Sequence, residues 1–160
     1  MLIRLAGVED IEFLEAMLFE AFFWNPESLR PALVEFRSNP EFRKLLANWG
    51  RAGDLAVIAE SDGRQIGAAW FRLWTSELHS YGFVDAETPE FALAVSKSHR
   101  RQGVGRSLLK TLIGHAREAG VPALSLSVAP ANPSRVLYES LGFRRVGDAG
   151  TSWTLRLSLP

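Results

Sequence analysis

The stretch from Phe91 to Ser107 places the strictest limits on what this chain can fold into. It starts with the small and apolar run Phe91–Val95, passes through a basic turn, and ends in a helix start that carries Gly103 and Gly105. Glycine lets the backbone bend tightly and approach a ligand closely. The first amides of a helix are unpaired donors at the positive end of its dipole. A buried strand followed by such a turn predicts a binding site for a polyphosphate.

The positive charge around this turn is local, because the chain as a whole is neutral. The turn contains the cations Lys97, Arg100, Arg101 and Arg106, with His99 between them. Over all 160 residues, however, 18 Lys and Arg balance 18 Asp and Glu. A balanced protein has no overall field that attracts nucleic acid or an anionic membrane. The cluster therefore favours a small anionic ligand, and a nucleic-acid-binding module is disfavoured.

The glycine spacing excludes two common phosphate-binding motifs. A dinucleotide fingerprint needs glycine or alanine three residues after Gly105, where this chain has Leu108, and an acid about twenty residues further on, where it has none. A nucleoside triphosphatase loop needs Gly-Lys-Ser/Thr, which is absent here. What remains is Arg-x-x-Gly-x-Gly after an apolar strand, formed by Arg100, Gly103 and Gly105.

This pattern resembles the acyl-CoA signature of the GNAT superfamily, the general-control-related N-acetyltransferases. In that family the signature is Gln/Arg-x-x-Gly-x-Gly/Ala. A second stretch is similar to the family's second motif and consists of the strand Leu124–Val128, Asn132-Pro133-Ser134, Leu137-Tyr138 and Gly142-Phe143. Ser134 stands where the family usually has alanine, and it is also small. The resemblance covers residues 91–147 well, whereas residues 1–90 fit only by the order of their elements.

The resemblance implies an α/β (α+β) fold, with a mixed, mostly antiparallel twisted sheet of six to seven strands and about four flanking helices. The strands Phe91–Val95 and Leu124–Val128 are expected to be a splayed parallel pair, joined by a right-handed crossover through the helix Val104–Glu118. Periodicity and turn residues predict the other elements. These are strands at Leu2–Leu5, Asp54–Glu60, Gln65–Trp74, Phe143–Gly147 and Trp153–Leu159, and helices after Glu9, between Leu29 and Trp49, and from Asn132 to Leu141. Residues 1–160 are expected to form a single domain.

The resemblance also assigns residues to a site for acetyl-CoA, the expected co-substrate. Backbone groups of Leu93, Ala94 and Val95 would contact the pantetheine amides and the thioester carbonyl, where fixed donors stabilise an oxyanion. The pyrophosphate would be wrapped by the backbone of Arg101, Gln102, Gly103, Val104, Gly105 and Arg106. Arg100 would add charge, with a solvated side chain as the alternative. Asn132 is a further expected contact, although asparagine before proline is also an ordinary helix cap.

Two residues are expected to carry the chemistry. In the family, a tyrosine at the position of Tyr138 hydrogen-bonds the CoA sulfur and protonates the leaving thiolate. Because a free thiol has a pKa of about 8.5 and a phenol of about 10, this transfer needs positioning or a lowered phenol pKa. Glu90 is the candidate general base that removes the proton of the amine. Glu87, a chain of waters, or a merely solvated Glu90 are the alternatives.

These features predict an acetyl-CoA-dependent N-acetyltransferase that passes an acetyl group directly to a primary amine of a small molecule or protein. The chain has no cysteine, so the commonest nucleophile for a covalent intermediate is missing. A non-catalytic acyl-CoA-binding sensor is the alternative, which the presence of Tyr138 disfavours. No metal is expected, because the three histidines are scattered and no Cys ligands exist.

The expected location is the cytoplasm. The first residues lack the apolar core of a signal peptide, and no apolar run approaches membrane length, so no membrane association is expected. Members of the family often dimerise, which makes a homodimer one expected arrangement.

No motif identifies the acceptor, but three features bear on it. The aromatic residues Phe19, Phe22, Phe23 and Trp24 are expected to pack in the core, with the lining of an acceptor pocket as the alternative. The acids Glu12, Glu15 and Glu20 are expected on a solvated helix face, with attraction of a cationic amine as the alternative. The unpatterned run Thr75–Pro89 is expected to be a substrate-side flap rather than a plain surface loop.

Overall fold

The computed structural model describes all 160 residues and contains one seven-stranded sheet. Its strands are β1 (Leu2–Leu5), β2 (Leu55–Ser61), β3 (Arg64–Arg72), β4 (Glu90–Val95), β5 (Ala123–Val128), β6 (Arg144–Ala149) and β7 (Ser152–Ser158). Their order across the sheet is β1-β2-β3-β4-β5-β7-β6. Every neighbouring pair is antiparallel except β4 and β5, which are parallel. The predicted mixed, mostly antiparallel sheet is therefore confirmed.

Five α-helices flank the sheet, where about four were expected. They are α1 (Ile11–Phe22), α2 (Leu33–Ser38), α3 (Pro40–Leu46), α4 (Val104–Glu118) and α5 (Ser134–Ser140), with 3₁₀ turns at Val8–Asp10 and Lys97–His99. The extra helix arises because the chain breaks at Asn39, whose side-chain oxygen accepts a hydrogen bond from the Glu41 amide at 3.0 Å, and Pro40 then begins α3. None of the helices combines the length and the apolar character needed to cross a membrane.

The sheet is covered on both faces, so its central strands carry apolar residues on both sides. Along β2, Val57 and Ala59 join the core under α4, whereas Ala56 and Ile58 join the core under α1, α2 and α3. Successive side chains of a strand point to opposite faces, which explains this division. Elements on both sides contribute residues to the cleft between β4 and β5. The α4 side forms one end of this cleft, and the α1–α3 side forms the other.

The parallel strands β4 and β5 separate almost as soon as they meet. Their only paired position is Glu90 with Ser125, where the Ser125 amide donates to the Pro89 carbonyl at 3.0 Å. Beyond it β5 continues to pair with β7 as far as Val128, and β4 pairs with β3 as far as Val95. The predicted splayed pair is confirmed, and the gap lies at the carboxyl ends of the strands, where open sheets bind ligands.

The long loop before β4 is present as predicted. No helix or strand lies between Arg72 and Glu90, although β3 ends before its predicted boundary at Trp74.

The hairpin turn between β2 and β3 is also confirmed. Asp62 and Gly63 have positive φ angles of 52° and 71°, as a tight two-residue turn requires.

Candidate active site

The gap between β4 and β5 is a cleft of about 1200 Å³. Most of the residues that the sequence assigned to the site line it, namely Glu90, Leu93, Ala94, Val95, Arg100, Arg101, Gly103, Gly105, Arg106, Asn132 and Tyr138. Two others do not. The Gln102 side chain is exposed and donates to the Ser98 carbonyl at 3.1 Å, and the Val104 side chain is buried in the core under α4. Their predicted roles as backbone donors remain predictions.

The start of α4 presents bare amides to open space. Arg101 and Gly103 have positive φ angles of 60° and 84°, which turn the chain sharply. The Ser107 amide makes the first bond of the helix, to the Gly103 carbonyl at 3.1 Å. The amides of residues 104–106 therefore have no acceptor inside the helix. A Cβ on Gly103 would meet no atom within 4 Å, so there is open space beside the turn that precedes these amides.

Gly105 is not required by the packing of the protein itself. It lies inside α4 without a positive φ, and a Cβ there would make ordinary contacts of 3.6–3.7 Å with the side chains of Leu137, Leu93 and Val95. Glycine inside a helix costs about 1 kcal/mol relative to alanine. Since the fold gains nothing from this glycine, its position fits a ligand that passes close to the backbone.

The open edge of β4 offers backbone groups to the cleft. The Ser96 amide bonds to β3 at Ile66, whereas the Val95 carbonyl turns the other way and accepts from Arg100 Nε at 2.9 Å. Backbone groups of an antiparallel strand alternate between its two sides. The amide and carbonyl of Leu93 therefore point into the gap with those of Val95, and those of Ala94 point to β3.

Arg100 is half-buried and is paired within the protein. Its Nη2 donates to Glu20 Oε2 at 2.9 Å, in addition to the bond to Val95. Glu20 is also clamped by both terminal nitrogens of Arg30 at 3.1 Å. The hydrogen bonds from Arg30 and the charge of Arg100 hold the pKa of Glu20 below its usual range. Glu20 thus belongs to a three-residue ion network that ties α1 to the end of β4, and the predicted contact of Arg100 with pyrophosphate stays a prediction.

Asn132 acts as the cap of α5, as expected. Its Oδ1 accepts from the Ser134 amide at 2.9 Å, and its carbonyl accepts from the Arg135 amide at 3.1 Å. The side-chain nitrogen makes no hydrogen bond within the protein, and the residue lines the cleft. Capping therefore leaves a donor available, so both expected roles are compatible.

Tyr138 is buried in the wall of the cleft, with 6% of its surface exposed. Its ring meets those of Phe91 and Phe143, with centroids at 5.5 and 6.2 Å. Burial raises the pKa of the Tyr138 phenol to about 12, although the Ser134 side chain acts against that shift. The phenol is therefore a neutral hydrogen-bond donor at pH 7. Proton transfer from Tyr138 was expected to need either a lowered phenol pKa or precise positioning. Because the phenol pKa is raised, only positioning can assist the transfer.

Glu90 places a poorly solvated carboxyl where β4 and β5 part. Its Oε2 accepts from the Gly82 amide at 2.9 Å, whereas Oε1 is buried with no partner at all. Burial raises the pKa of Glu90 to about 7, against the opposing effects of the Gly82 bond, of the Ser80 side chain, and of the charges of His79 and Lys44. A carboxyl with a pKa near the working pH is suited to general base catalysis. The fallback, Glu87, is exposed and lies outside the cleft.

The loop before β4 fixes this carboxyl through Gly82, which the sequence analysis did not single out. The Gly82 carbonyl accepts from the buried Ser125 Oγ at 2.7 Å, and Ser125 is the residue paired with Glu90 across the parallel strands. A Cβ on Gly82 would lie 2.6 Å from the Leu126 carbonyl carbon and 2.7 Å from the Ser127 amide nitrogen, so only glycine fits. Ser80 and Tyr81 of the same loop line the cleft. The loop thus forms part of the cleft wall, and its role as a substrate-side flap stays a prediction.

The aromatic residues at the end of α1 divide into two groups. Phe19, Phe22 and Phe23 pack with Phe36 and Phe42, their ring centroids 4.4–6.4 Å apart. The expectation of core packing is confirmed for these phenylalanines, of which Phe22 also lines the cleft. It is wrong for Trp24, which lines the cleft and packs in neither hydrophobic core.

A buried arginine on β3 was also missed. Arg72 is 2% exposed and donates to both oxygens of Asp54 at 2.9 and 2.7 Å. It also donates to two backbone carbonyls near the end of α3, at 3.2 and 2.8 Å, and lies over the rings of Trp49 and Trp74. Its charge is fully compensated. The only sequence signal was an arginine at the end of an apolar strand.

Together these features define an α/β fold whose splayed parallel strands open a cleft that fits an elongated ligand with an anionic end. No three His, Cys, Asp or Glu side chains are grouped so that they could hold a metal ion. Residues 16–143 match the family described as the acetyltransferase (GNAT) family. The chain belongs to that family.

Individual relatives agree with this assignment. The chain is 30% identical over 144 residues to the mycothiol acetyltransferase of Propionibacterium freudenreichii subsp. shermanii, covering 89% of this chain but 43% of that protein. It thus spans less than half the length of that relative. It is 30% identical over 143 residues to the L-amino acid N-acyltransferase MnaT of Escherichia coli, covering 86% of this chain and 73% of MnaT.

A solved structure shows the same fold. The yncA protein of Salmonella typhimurium, solved with its cofactor acetyl-CoA, superposes with a TM-score of 0.67 at 25% identity, covering 100% of this chain and 94% of that one. The sheet, the helices and the splayed strands described above are thus those of the family.

Proposed function

We propose that this chain is an acetyl-CoA-dependent N-acetyltransferase that transfers the acetyl group directly to a primary amine. The observation that carries the proposal is Glu90, whose buried carboxyl has one unpartnered oxygen and a pKa of about 7, at the mouth of a splayed parallel strand pair. A sensor that only binds acyl-CoA has no use for such a group. Membership of the family, and the neighbour solved with acetyl-CoA, support the choice of donor.

The donor end of the cleft fits a diphosphate. The unpaired amides of residues 104–106 face open space beside Gly103, and the side chains of Arg101 and Arg106 are exposed on the same turn. Bare amides, the helix dipole and cations together bind anions. Leu93 would hydrogen-bond the pantetheine arm from the open edge of β4, and the acyl thioester would then lie between β4 and Tyr138.

At the other end, Glu90 would take a proton from the bound ammonium group. The free amine then attacks the thioester carbonyl and a C–N bond forms; the new C–N nitrogen gives its remaining extra proton to solvent, the C–S bond breaks, and the thiolate leaves. Tyr138, neutral with a pKa of about 12, would donate a hydrogen bond to the sulfur. Complete transfer of its proton to a thiolate with a pKa of about 8.5 is uphill by roughly 5 kcal/mol. We therefore assign Tyr138 to stabilisation of the thiolate, with the final proton drawn from solvent.

The test is acetyl-CoA turnover with a panel of primary amines, followed by release of the CoA thiol, alongside calorimetric titration with CoA. CoA binding together with amine-dependent thiol release supports the proposal. CoA binding without turnover of any amine would favour the acyl-CoA sensor.

Three further proposals concern the location, the domain organisation and the oligomeric state of the protein. We propose a cytoplasmic location, which cell fractionation would test. We propose that residues 1–160 act as one domain, since a single sheet draws strands from both ends of the chain. A homodimer is proposed from the open outer edges of β1 and β6, and sedimentation equilibrium would test it.

A further inference from the structure

The geometry points to a definite class of acceptor, and this inference rests on the proposed function. We propose that the acceptor is a primary amine attached to an aromatic or other large apolar group and carrying no carboxylate, as in an arylalkylamine. The cleft beyond Glu90 is built for such a molecule by its aromatic lining and by the way its charges are already compensated.

The first observation is that two aromatic side chains line the cleft without serving the fold. Trp24 follows α1 and packs in neither hydrophobic core. Tyr81 is 47% exposed, belongs to neither core, and directly precedes the glycine that holds Glu90. Beneath them, Trp70 and Trp74 are buried members of the core and form an apolar floor. Large rings that the core does not need provide stacking surface for an apolar ligand.

The second observation is that the cations on this side of the cleft are already paired. Arg72 is saturated by Asp54 and two backbone carbonyls. Arg100 is held by Glu20 and the Val95 carbonyl. A substrate carboxylate would find no free guanidinium here, although recognition of a carboxylate normally requires one.

Two weaker positive groups lie near Glu90, and neither changes this conclusion. Lys44 and His79 both act on Glu90 electrostatically, but neither lines the cleft. Lys44 is paired with Glu41 at 3.3 Å, and the His79 ring is stacked on Phe83 with centroids 4.5 Å apart. The unpaired Glu90 carboxyl attracts an ammonium group and repels a second carboxylate. The cleft therefore favours an amine with an uncharged, apolar remainder.

The inference separates this chain from one of its relatives by substrate. The related MnaT is an L-amino acid N-acyltransferase, whose acceptors carry a carboxylate next to the amine. We expect the present chain to discriminate against that arrangement.

Matched acceptors test the inference directly. We would measure kcat/KM by thiol release with tryptamine against tryptophan, 2-phenylethylamine against phenylalanine, and ethanolamine as a small polar amine. Tryptophan amide adds back the bulk of the carboxyl group without its charge. We expect the two arylalkylamines and tryptophan amide to exceed the amino acids by about tenfold or more, because an unpaired buried charge is strongly discriminated against.

Each outcome decides between the two proposals. Equal or faster turnover of tryptophan and phenylalanine, or turnover of ethanolamine alone, overturns the acceptor class and leaves the acetyltransferase proposal intact. CoA binding without turnover of any amine overturns both proposals.

A variant tests whether Trp24 contacts the acceptor. Trp24→Ala should raise KM for tryptamine by about tenfold, leave the affinity for CoA unchanged, and be largely rescued by Trp24→Phe. Trp153→Ala is the matched control, because Trp153 lies on β7 against Arg135 and Arg145 and outside the cleft. An unchanged KM for tryptamine in Trp24→Ala, with the fold intact by circular dichroism, would contradict the assignment of Trp24.

Discussion

The two ends of the cleft are built by different means. The donor end, from Val95 to the start of α4, presents backbone amides that are freed by a turn and by two glycines. The acceptor end is built from side chains, with a carboxyl, aromatic rings and the compensated Arg72, which come from α1 and the residues after it, β3, β4 and the loop before β4. The donor end suits a ligand of constant shape and charge. At the acceptor end, the side chains determine which acceptor binds.

This difference separates two kinds of mutational effect. Changes at the backbone-built end should alter CoA affinity and leave acceptor choice unchanged. Changes at the side-chain end should alter turnover and acceptor KM and leave CoA affinity unchanged. Substitutions at one end that change CoA affinity and acceptor KM equally would contradict this division of the cleft into two ends.

The largest effect is expected from Glu90→Gln. The amide cannot accept a proton, so kcat/KM should fall by roughly 10²–10⁴-fold at pH 7.5, while CoA affinity stays the same. In the native protein, activity should fall as the pH drops through about 7, because the base must be deprotonated. The residual activity of Glu90→Gln should not show this fall at acidic pH, the acidic limb of the pH profile. Glu87→Gln is the matched control, since that carboxyl is exposed and outside the cleft. A normal rate in Glu90→Gln would show that water, or another group, serves as base.

The same substitution should stabilise the fold at alkaline pH. The pKa of Glu90 is raised from 4.5 to about 7 in the folded protein. Below the lower pKa both folded and unfolded chains are protonated, so ionisation of Glu90 has no effect on stability. As the pH rises, the unfolded chain loses this proton first, so native stability declines until about pH 7, by at most roughly 3 kcal/mol. Glu90→Gln removes that decline, so its gain in Tm over the native protein should grow from pH 5 to pH 8. A gain independent of pH would contradict the raised pKa.

At the donor end, Gly103→Asp should weaken CoA binding by about 100-fold or more, close to 3 kcal/mol. The new carboxylate would occupy the open space in front of the helix amides and repel the diphosphate. Gly63→Asp is the matched control, because Gly63 also has positive φ, at 71°, and free space around it, but lies in the β2–β3 turn. Calorimetric titration with CoA measures both variants. Equal affinities would refute the assignment of the turn as the pyrophosphate site.

Tyr138→Phe should lower kcat by about tenfold, with CoA affinity nearly unchanged. Phenylalanine keeps the packing against Phe91 and Phe143 and removes only the hydroxyl that we assign to the thiolate. A kcat equal to that of the native protein would dismiss the role in thiolate stabilisation. A loss of CoA affinity instead of kcat would place the hydroxyl in donor binding.

The donor end could be predicted from the sequence because its parts are close together in the chain. The strand, the turn and α4 follow one another, and the predicted helix Val104–Glu118 has the bounds observed. Binding of a ligand by backbone amides depends on the local backbone conformation, and the spacing of the glycines indicates that conformation. Glu90 was also predicted to belong to the site, and Ala92 and Ala94, which alternate with it along β4, line the cleft as well.

The acceptor end could not be predicted in this way, because its contacts join distant residues. Arg100 meets Glu20 across 80 positions, and Ser125 meets Gly82 across 43. No local pattern pairs such residues, so Glu20 was expected on a solvated face and Gly82 was overlooked. Trp24 resembled its phenylalanine neighbours in sequence and differs from them only in the tertiary structure.

The smallest effect is expected from Ser125→Ala, which tests how tightly the loop before β4 is bound to the acceptor end. The substitution leaves the Gly82 carbonyl without its hydrogen bond from Ser125 Oγ, a loss of about 1 kcal/mol. Because the Gly82 amide holds Glu90, the acceptor KM should rise about fivefold and the acidic limb of the pH profile should shift. CoA affinity should not change. Ser61→Ala, at the far end of β2, is the control. If Ser125→Ala instead lowered CoA affinity and left acceptor KM unchanged, the loop would belong to the donor end, and the division between the two ends would be drawn in the wrong place.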